Sequence, residues 1–222
     1  MSSILTTKRT LLVRIVGLAA ALCAAASLVA GPGVALAETG TPVPDANHKL
    51  GMFGDPAAAA RYWHQQQGSD CGELAVADVI GQITGRPPSE EQIDAVAERI
   101  PNKAKSGPIW KPDGLTRIRD LPVLLWHYWI TADNVSTNLS ELERDLADQR
   151  KVIALVNAET IWNRPGRRSV ANHFVVVTGI DTRTAAVHLN DSGVETGRDE
   201  QVPLSAFEAA WAPNHNSAVV TR

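Results

Sequence analysis

The hydrophobic pattern of this chain changes character near residue 150, and that change limits the fold more than any other feature. Before it, apolar residues recur at three- and four-residue steps, as on one face of a helix. After it they gather in short β-prone runs. Asp55-Pro56 predicts a helix start, with Asp55 as N-cap and Pro56 at the first helical position, running through Ala57–Ala60 toward His64. A second helix is expected from Asp70 or Cys71 to Gly85, with Leu74, Ala75, Val79 and Ile83 on its apolar face. Ser89-Glu90-Glu91-Gln92 reads as a capping box. It opens a third helix that buries Ile93, Val96 and Ile100 and stops at Pro101. Residues 102–114 read as loop. Residues 115–129 read as helix with a break allowed at Pro122, and residues 139–149 as a further helix capped by Asn138 or Ser140.

Val152–Val156 is a continuous apolar run of the kind that forms a strand buried on both faces. Residues 173–180 and 185–189 read as two strands around a polar turn at 181–184. A short segment at 201–203, a helix at 205–211 and a strand at 218–221 follow. Helices first and antiparallel strands afterwards predict an α+β fold, not alternating βαβ units. No internal repeat is present.

The first 37 residues stand apart. Lys8, Arg9 and Arg14 precede the apolar run Ile15–Ala30, and Ala35-Leu36-Ala37 supplies small residues for cleavage. This is the layout of a secretory signal peptide. The run is shorter than the ~20 residues that span a bilayer, and Gly31-Pro32-Gly33 breaks any helix. Leu22 before Cys23 does not suit a lipid-anchored leader. Residues 38–54, rich in Gly and Pro, read as a flexible arm that tethers a domain spanning 55–222. The expected location is secreted or in the cell envelope, with no integral membrane domain.

Cleavage would change two balances. It removes three basic residues and no acidic ones, so 21 basic residues become 18 against 24 acidic, and the net charge moves from −3 to −6. An acidic chain without a basic stripe gives no reason to bind nucleic acid or an anionic membrane. Cleavage also removes Cys23 and leaves Cys71 as the sole cysteine. An unpaired thiol in an oxidising compartment is a liability unless it reacts or pairs with a partner.

Cys71 follows the polar loop Gly68-Ser69-Asp70 and begins a predicted helix. Helix amides and dipole favour an anion there, which makes the thiolate the expected reactive form. Gly72 leaves the approach to the sulfur open. Of the histidines at 48, 64, 127, 173, 188 and 215, His173 heads a strand, Ala171-Asn172-His173-Phe174, and is the expected base. His188 lies inside the next strand and reads as structural. His64 and His127, beside Trp63, Trp126 and Trp129, read as packing residues, and the tryptophans themselves as core. If the hairpin turns between Thr182 and Arg183, Asp191 falls opposite Phe174 and beside His173, where it would orient the imidazole. Asn190 is the reserve, and Asp181 lies at the far end of the hairpin. Gln65, six residues before Cys71, is placed to donate to an oxyanion together with the Cys71 backbone N–H.

The ordered set Gln65-x5-Cys71-Gly72 after Tyr62-Trp63, then His173-Phe-Val-Val-Val-Thr-Gly-Ile-Asp and Val187-x-Leu-Asn-Asp191, resembles the papain-like cysteine peptidases of the bacteriocin-leader (double-glycine) processing family. The stand-alone, exported branch is the better match, over most of residues 56–215. The resemblance implies a papain-like fold. It also implies Cys71 as nucleophile, His173 as base, Asp191 as orienter, Gln65 as oxyanion donor, a peptide or protein substrate and no cofactor. The transporter-linked members carry membrane and ATPase domains that this chain lacks. Two other readings compete: a catalytically idle papain-like binding protein, and an NlpC-type cell-wall peptidase. The latter shares the Asp-Cys dipeptide but has a shorter cysteine-to-histidine spacing than the 102 residues here. A metal site has little support, since there is no His-Glu-x-x-His and no cysteine pair, and strand alternation separates His188 from Asp191. N-terminal sequencing of the exported protein is expected to begin at Glu38.

Overall fold

The computed structural model describes residues 51–222. The leader and residues 38–50 of the arm lie outside the described residues. The arm itself stops earlier than the Gly and Pro content suggested. Met52–Gly54 forms a strand, β1, paired with residues 179–181. Asp55 then caps α1 (Pro56–Ala59), its side chain accepting from the Ala58 N–H, and a 3-10 turn carries the chain to Tyr62.

The next two helices start where the sequence predicted, but Ile83, expected on the apolar face of the first, is 46% exposed, and the second stops at Ala97, short of Ile100 and Pro101. α2 (Cys71–Thr84) ends at Gly85, whose φ of 74° is the left-handed conformation that glycine adopts without penalty. α3 (Glu90–Ala97) opens with the full capping box, Ser89 and Gln92 each satisfying the other's backbone N–H. The stretch 115–129 departs from expectation. Only Leu121–His127 is a regular α-helix, α4, preceded by a 3-10 turn at 118–120. Pro122 sits in its first turn, where a missing N–H costs nothing, so it marks a start and not a break. Leu121, Leu124 and Leu125 take the buried face of this short helix. Trp126 is therefore turned outward, 56% exposed. Trp129 lies past the end in left-handed backbone (φ 63°), 82% exposed. The two rings pack edge-on at 5.7 Å outside the core in which they were expected.

The remaining elements are β2 (Ala132–Ser136), α5 (Leu139–Ala147), β3 (Val152–Val156), α6 (Ala158–Ile161), β4 (His173–Asp181), β5 (Ala186–Asn190), β6 (Glu200–Pro203), α7 (Leu204–Trp211) and β7 (Ser217–Thr221). β2 and α6 were not legible. β2 reads Ala-Asp-Asn-Val-Ser and pairs only with β7 at the edge of the sheet, so nothing requires an apolar run. The strands form one antiparallel sheet ordered β2-β7-β3-β4-β5-β6, with β1 also on β4. This is an α+β fold with helices on both faces. On one face, Ile153, Phe174, Val176 and Val219 pack with residues of α2, α3 and α4. On the other, Val152, Ala154, Val175, Val177, Leu189 and Val220 pack with residues of α5, α6 and α7. Burial on both faces explains why β3 and the first half of β4 read as unbroken apolar runs.

An irregularity between Val177 and Gly179 shifts the β4–β5 register. Val177 and Ile180 consequently share one face, although plain alternation would separate them. Gly179 lies here under close approach from β1 and Pro56, whose Cδ would be 3.0 Å from an added Cβ. Phe207 of α7 is fully buried against this second face. Phe207→Ala is expected to cost about 3–5 kcal/mol in chemical denaturation, the range for a large buried aromatic.

Candidate active site

Three elements meet at one end of the central strands. Cys71 is the first residue of α2 and is partly exposed. Asp70, the N-cap, makes no side-chain cap bond, and the Cys71 backbone N–H finds no acceptor among the described residues. It belongs to the set of orphan donors that every helix start presents. The helix can come this close to the sheet because residue 72 is glycine. A Cβ there would lie 3.2 Å from both Leu121 and Phe174. Phe174 follows His173 at the head of β4, so the packing that fixes α2 on the sheet also brings the thiol beside the imidazole.

His173 is buried, its ring is hydrogen-bonded to Asp191, and the Cys71 thiol acts on it from the other side. Nε2 is 2.6 Å from Asp191 Oδ1, which leaves Nδ1 as the nitrogen for the thiol. Asp191 is wholly inaccessible and its carboxylate is held by three donors. Oδ1 accepts from His173 and from the Gly193 backbone N–H at 2.7 Å, and Oδ2 accepts from Trp162 Nε1 at 2.8 Å. Its backbone is clamped as well. The carbonyl accepts from Trp63 Nε1 at 2.6 Å and the N–H donates to the Gly197 carbonyl at 2.8 Å. The Trp162 ring covers His173 with centroids 5.1 Å apart, shielding the His–Asp bond from water.

Burial alone would hold the imidazole neutral. The Asp191 hydrogen bond, the Cys71 hydrogen bond and the charges of both outweigh it and raise the His173 pKa to about 10. Burial likewise acts to raise Asp191, but the His173 bond and charge, with the Trp162 and Gly193 bonds, hold its carboxyl below the usual range. This arrangement can stabilise a thiolate beside an imidazolium, the form in which a cysteine attacks a carbonyl.

The structure therefore brings Cys71, His173 and Asp191 together. Gln65 lies on the adjoining segment between Trp63, bonded to Asp191, and Gln66, whose N–H donates to the Ser192 carbonyl at 2.9 Å. Its side chain is exposed and makes no hydrogen bond among the described residues. Asn190, the reserve orienter, is engaged elsewhere: Nδ2 donates to the Ala59 carbonyl and to Asp78 Oδ2. The expected pairing of Asp191 with Phe174 is off by one. The turn is centred one residue further along, with Asp181 opposite Ala186, which shifts the register by two; the irregularity after Val177 restores one of these, so Val176 faces Asn190. Asp181 is engaged at the far end by Arg183. His188 bonds Asp199 Oδ1 at 2.7 Å and takes no part in the site. Among the described residues no group of three or more His, Cys, Asp and Glu is placed to hold a metal ion.

Comparison with known proteins gives the family and the fold. The family model described as the Peptidase_C39 like family matches residues 59–219. The chain belongs to the Peptidase_C39-like family. An uncharacterised protein of Mycobacterium tuberculosis and its counterpart in Mycobacterium bovis are 44% identical over 195 residues, covering 77% of this chain and 84% of theirs. A crystal structure described as a C39-like peptidase from Bacillus anthracis superposes with a TM-score of 0.59 at 18% identity, over 77% of this chain and 97% of that one. The fold is thus that of the C39 papain-like peptidases, and the NlpC-type reading is set aside by the family match.

Trp162, Gly193 and Glu200 escaped sequence reasoning. The Asp191-Ser192-Gly193 triplet carried a turn signal that was available. Trp162 gave none, because only folding brings residue 162 over residue 173. His173 holds a raised pKa in the folded state against an ordinary ~6.5 unfolded, so its contribution to stability is full below pH ~6.5 and is lost as pH rises to about 10. NMR titration should show the imidazolium persisting well above neutrality, and Asp191→Asn should lower that pKa.

Proposed function

We propose that this C39-like protein is an exported cysteine peptidase that cleaves amide bonds in peptides or proteins. The observation that carries the reading is the continuous contact Cys71–His173–Asp191, with the sulfur at the amide-rich start of α2. In this reading the Cys71 thiolate attacks the substrate carbonyl while His173 holds the proton. The oxyanion is met by the Cys71 backbone N–H and by the Gln65 side-chain amide, which has no competing partner among the described residues. His173 then gives its proton to the departing amine, and the acyl group stays on sulfur. A water, deprotonated by His173, attacks the thioester and releases the acid. Asp191 keeps Nε2–H directed at itself, so Nδ1 faces the thiol throughout. Export rests on residues 1–37 and the unpaired thiol of the remaining chain.

Labelling with iodoacetamide or an epoxysuccinyl probe is expected to modify Cys71 faster than an unfolded thiol, and His173→Ala should remove that advantage. Turnover of a peptide library should vanish in Cys71→Ala. In Gln65→Ala, kcat should fall by about 10²–10³, the usual loss for one oxyanion donor. A wild-type thiol that labels no faster than a denatured one would sink the reading.

A further inference from the structure

Glu200 stands at the end of the sheet that carries Asp191. It opens β6 and is the cross-strand partner of Leu189. Asp191 follows Leu189 by two residues, just past the end of β5, so Glu200 and Asp191 are diagonal neighbours, a separation that a long side chain bridges. After burial, Asp191 is the group that acts most on the Glu200 carboxyl. Its Oε2 is buried, and no donor among the described residues reaches it. On the facing side, Asp191 Oδ1 already takes two donors, whereas Oδ2 takes only Trp162 and keeps room for one more. Two carboxyls in contact with no cation between them cannot both ionise cheaply, and the stable arrangement shares one proton.

The charged groups around the pair are few. His173 on β4 is the one cation acting on Glu200, and it is already bonded to Asp191. Asp199, the preceding residue, is engaged by His188. Arg198 lies over the Trp63 ring. We infer that Glu200 is kept as the neutral acid and donates its O–H to Asp191, a positioning residue for the Asp191–His173 pair. As a statement about regulation of the site, this rests on the peptidase reading. The contact itself does not. Burial first, and then the Asp191 charge and hydrogen bond, raise the Glu200 pKa to about 7. Below that pH Asp191 has four donors. Above it one donor becomes a second anion pressed against Asp191, and the carboxylate that positions the imidazole is held less firmly.

The sign for stability follows. A carboxyl whose folded pKa exceeds its unfolded value of ~4.5 binds more protons folded than unfolded, so stability falls as pH rises from ~4.5 to about 7. Glu200→Gln supplies an amide donor at every pH and removes the titration. Between pH 5 and 8 the melting temperature of the wild type is expected to fall relative to E200Q. Probe labelling of Cys71 in the wild type should drop about tenfold relative to E200Q over the same range, the typical effect of losing one hydrogen bond to a charged group. In an Asp191→Asn background the step in melting temperature should move to lower pH. Identical wild-type and E200Q profiles in both measurements would overturn the inference. So would a melting step that Asp191→Asn leaves in place, since burial alone would then account for it. A coupled melting step without accelerated labelling would keep the Glu200–Asp191 pair and reject the peptidase reading instead.

Discussion

A carboxylate removed from water must be given donors or it will not stay ionised, and the end of the sheet is organised around meeting that demand for Asp191. The donors come from separate places in the chain: His173 at the head of β4, Trp162 just after α6, and the Gly193 amide in the loop beyond β5. Trp63, from the segment leading to Cys71, holds the Asp191 carbonyl. A lost donor leaves a buried charge partly unpaired, which costs more than the same hydrogen bond contributes at the surface. The constraint therefore fixes the Trp162 indole over the imidazole as firmly as it fixes the imidazole itself. Gly193 is glycine for the same reason: a Cβ there would fall 2.6 Å from Trp162 and 3.0 Å from His173.

Two hydrophobic layers supply the rigidity. Strands β3 and β4 are covered on both faces, so the sheet cannot shift toward either set of helices without opening a void. α2 lies in the first layer and delivers Cys71 at its exposed start. Asp191 and Trp162 belong to the side of the second. Cys71 and His173 thus sit where the two layers end together, at the heads of α2 and β4. There the backbone is pinned by packing and the sulfur still meets solvent.

The electrostatics of the region are unusual for an acidic chain. Burial pushes the Glu73 carboxyl to about 8, and burial together with the neighbouring carboxylates Asp70, Glu90 and Glu98 pushes Asp94 to about 7. Glu73 is fully buried two residues after Cys71, with one oxygen accepting from the Thr116 hydroxyl at 2.6 Å. Near neutrality Glu73 is held mostly as the neutral acid, and Asp94 on α3 is only partly ionised. That limits the repulsion a thiolate would meet from its own helix. The imidazole of His173 is the titratable group on which Cys71 acts.

Several parts of this protein could be read from residue order alone, and each has a local cause. The capping box at Ser89, the glycine stop at Gly85, the proline-led start at Pro56 and the apolar run of β3 depend on neighbours in sequence, so short-range rules suffice. Cys71 and His173 were legible because a helix start and a strand head are themselves local features, and the hairpin carried Asp191 to within one residue of its observed register. What only the tertiary structure decided is non-local. The irregularity after Val177 answers to the approach of β1 and Pro56 against Gly179. β2 exists because β7 offers it an edge, and Trp126 and Trp129 face solvent because α4 is too short to turn them inward. Trp162 and Glu200 reach Asp191 only through sheet pairing and helix packing. Periodicity records which face of an element is buried, but not which distant side chain it is buried against, and the surroundings of Asp191 are made almost wholly of distant side chains.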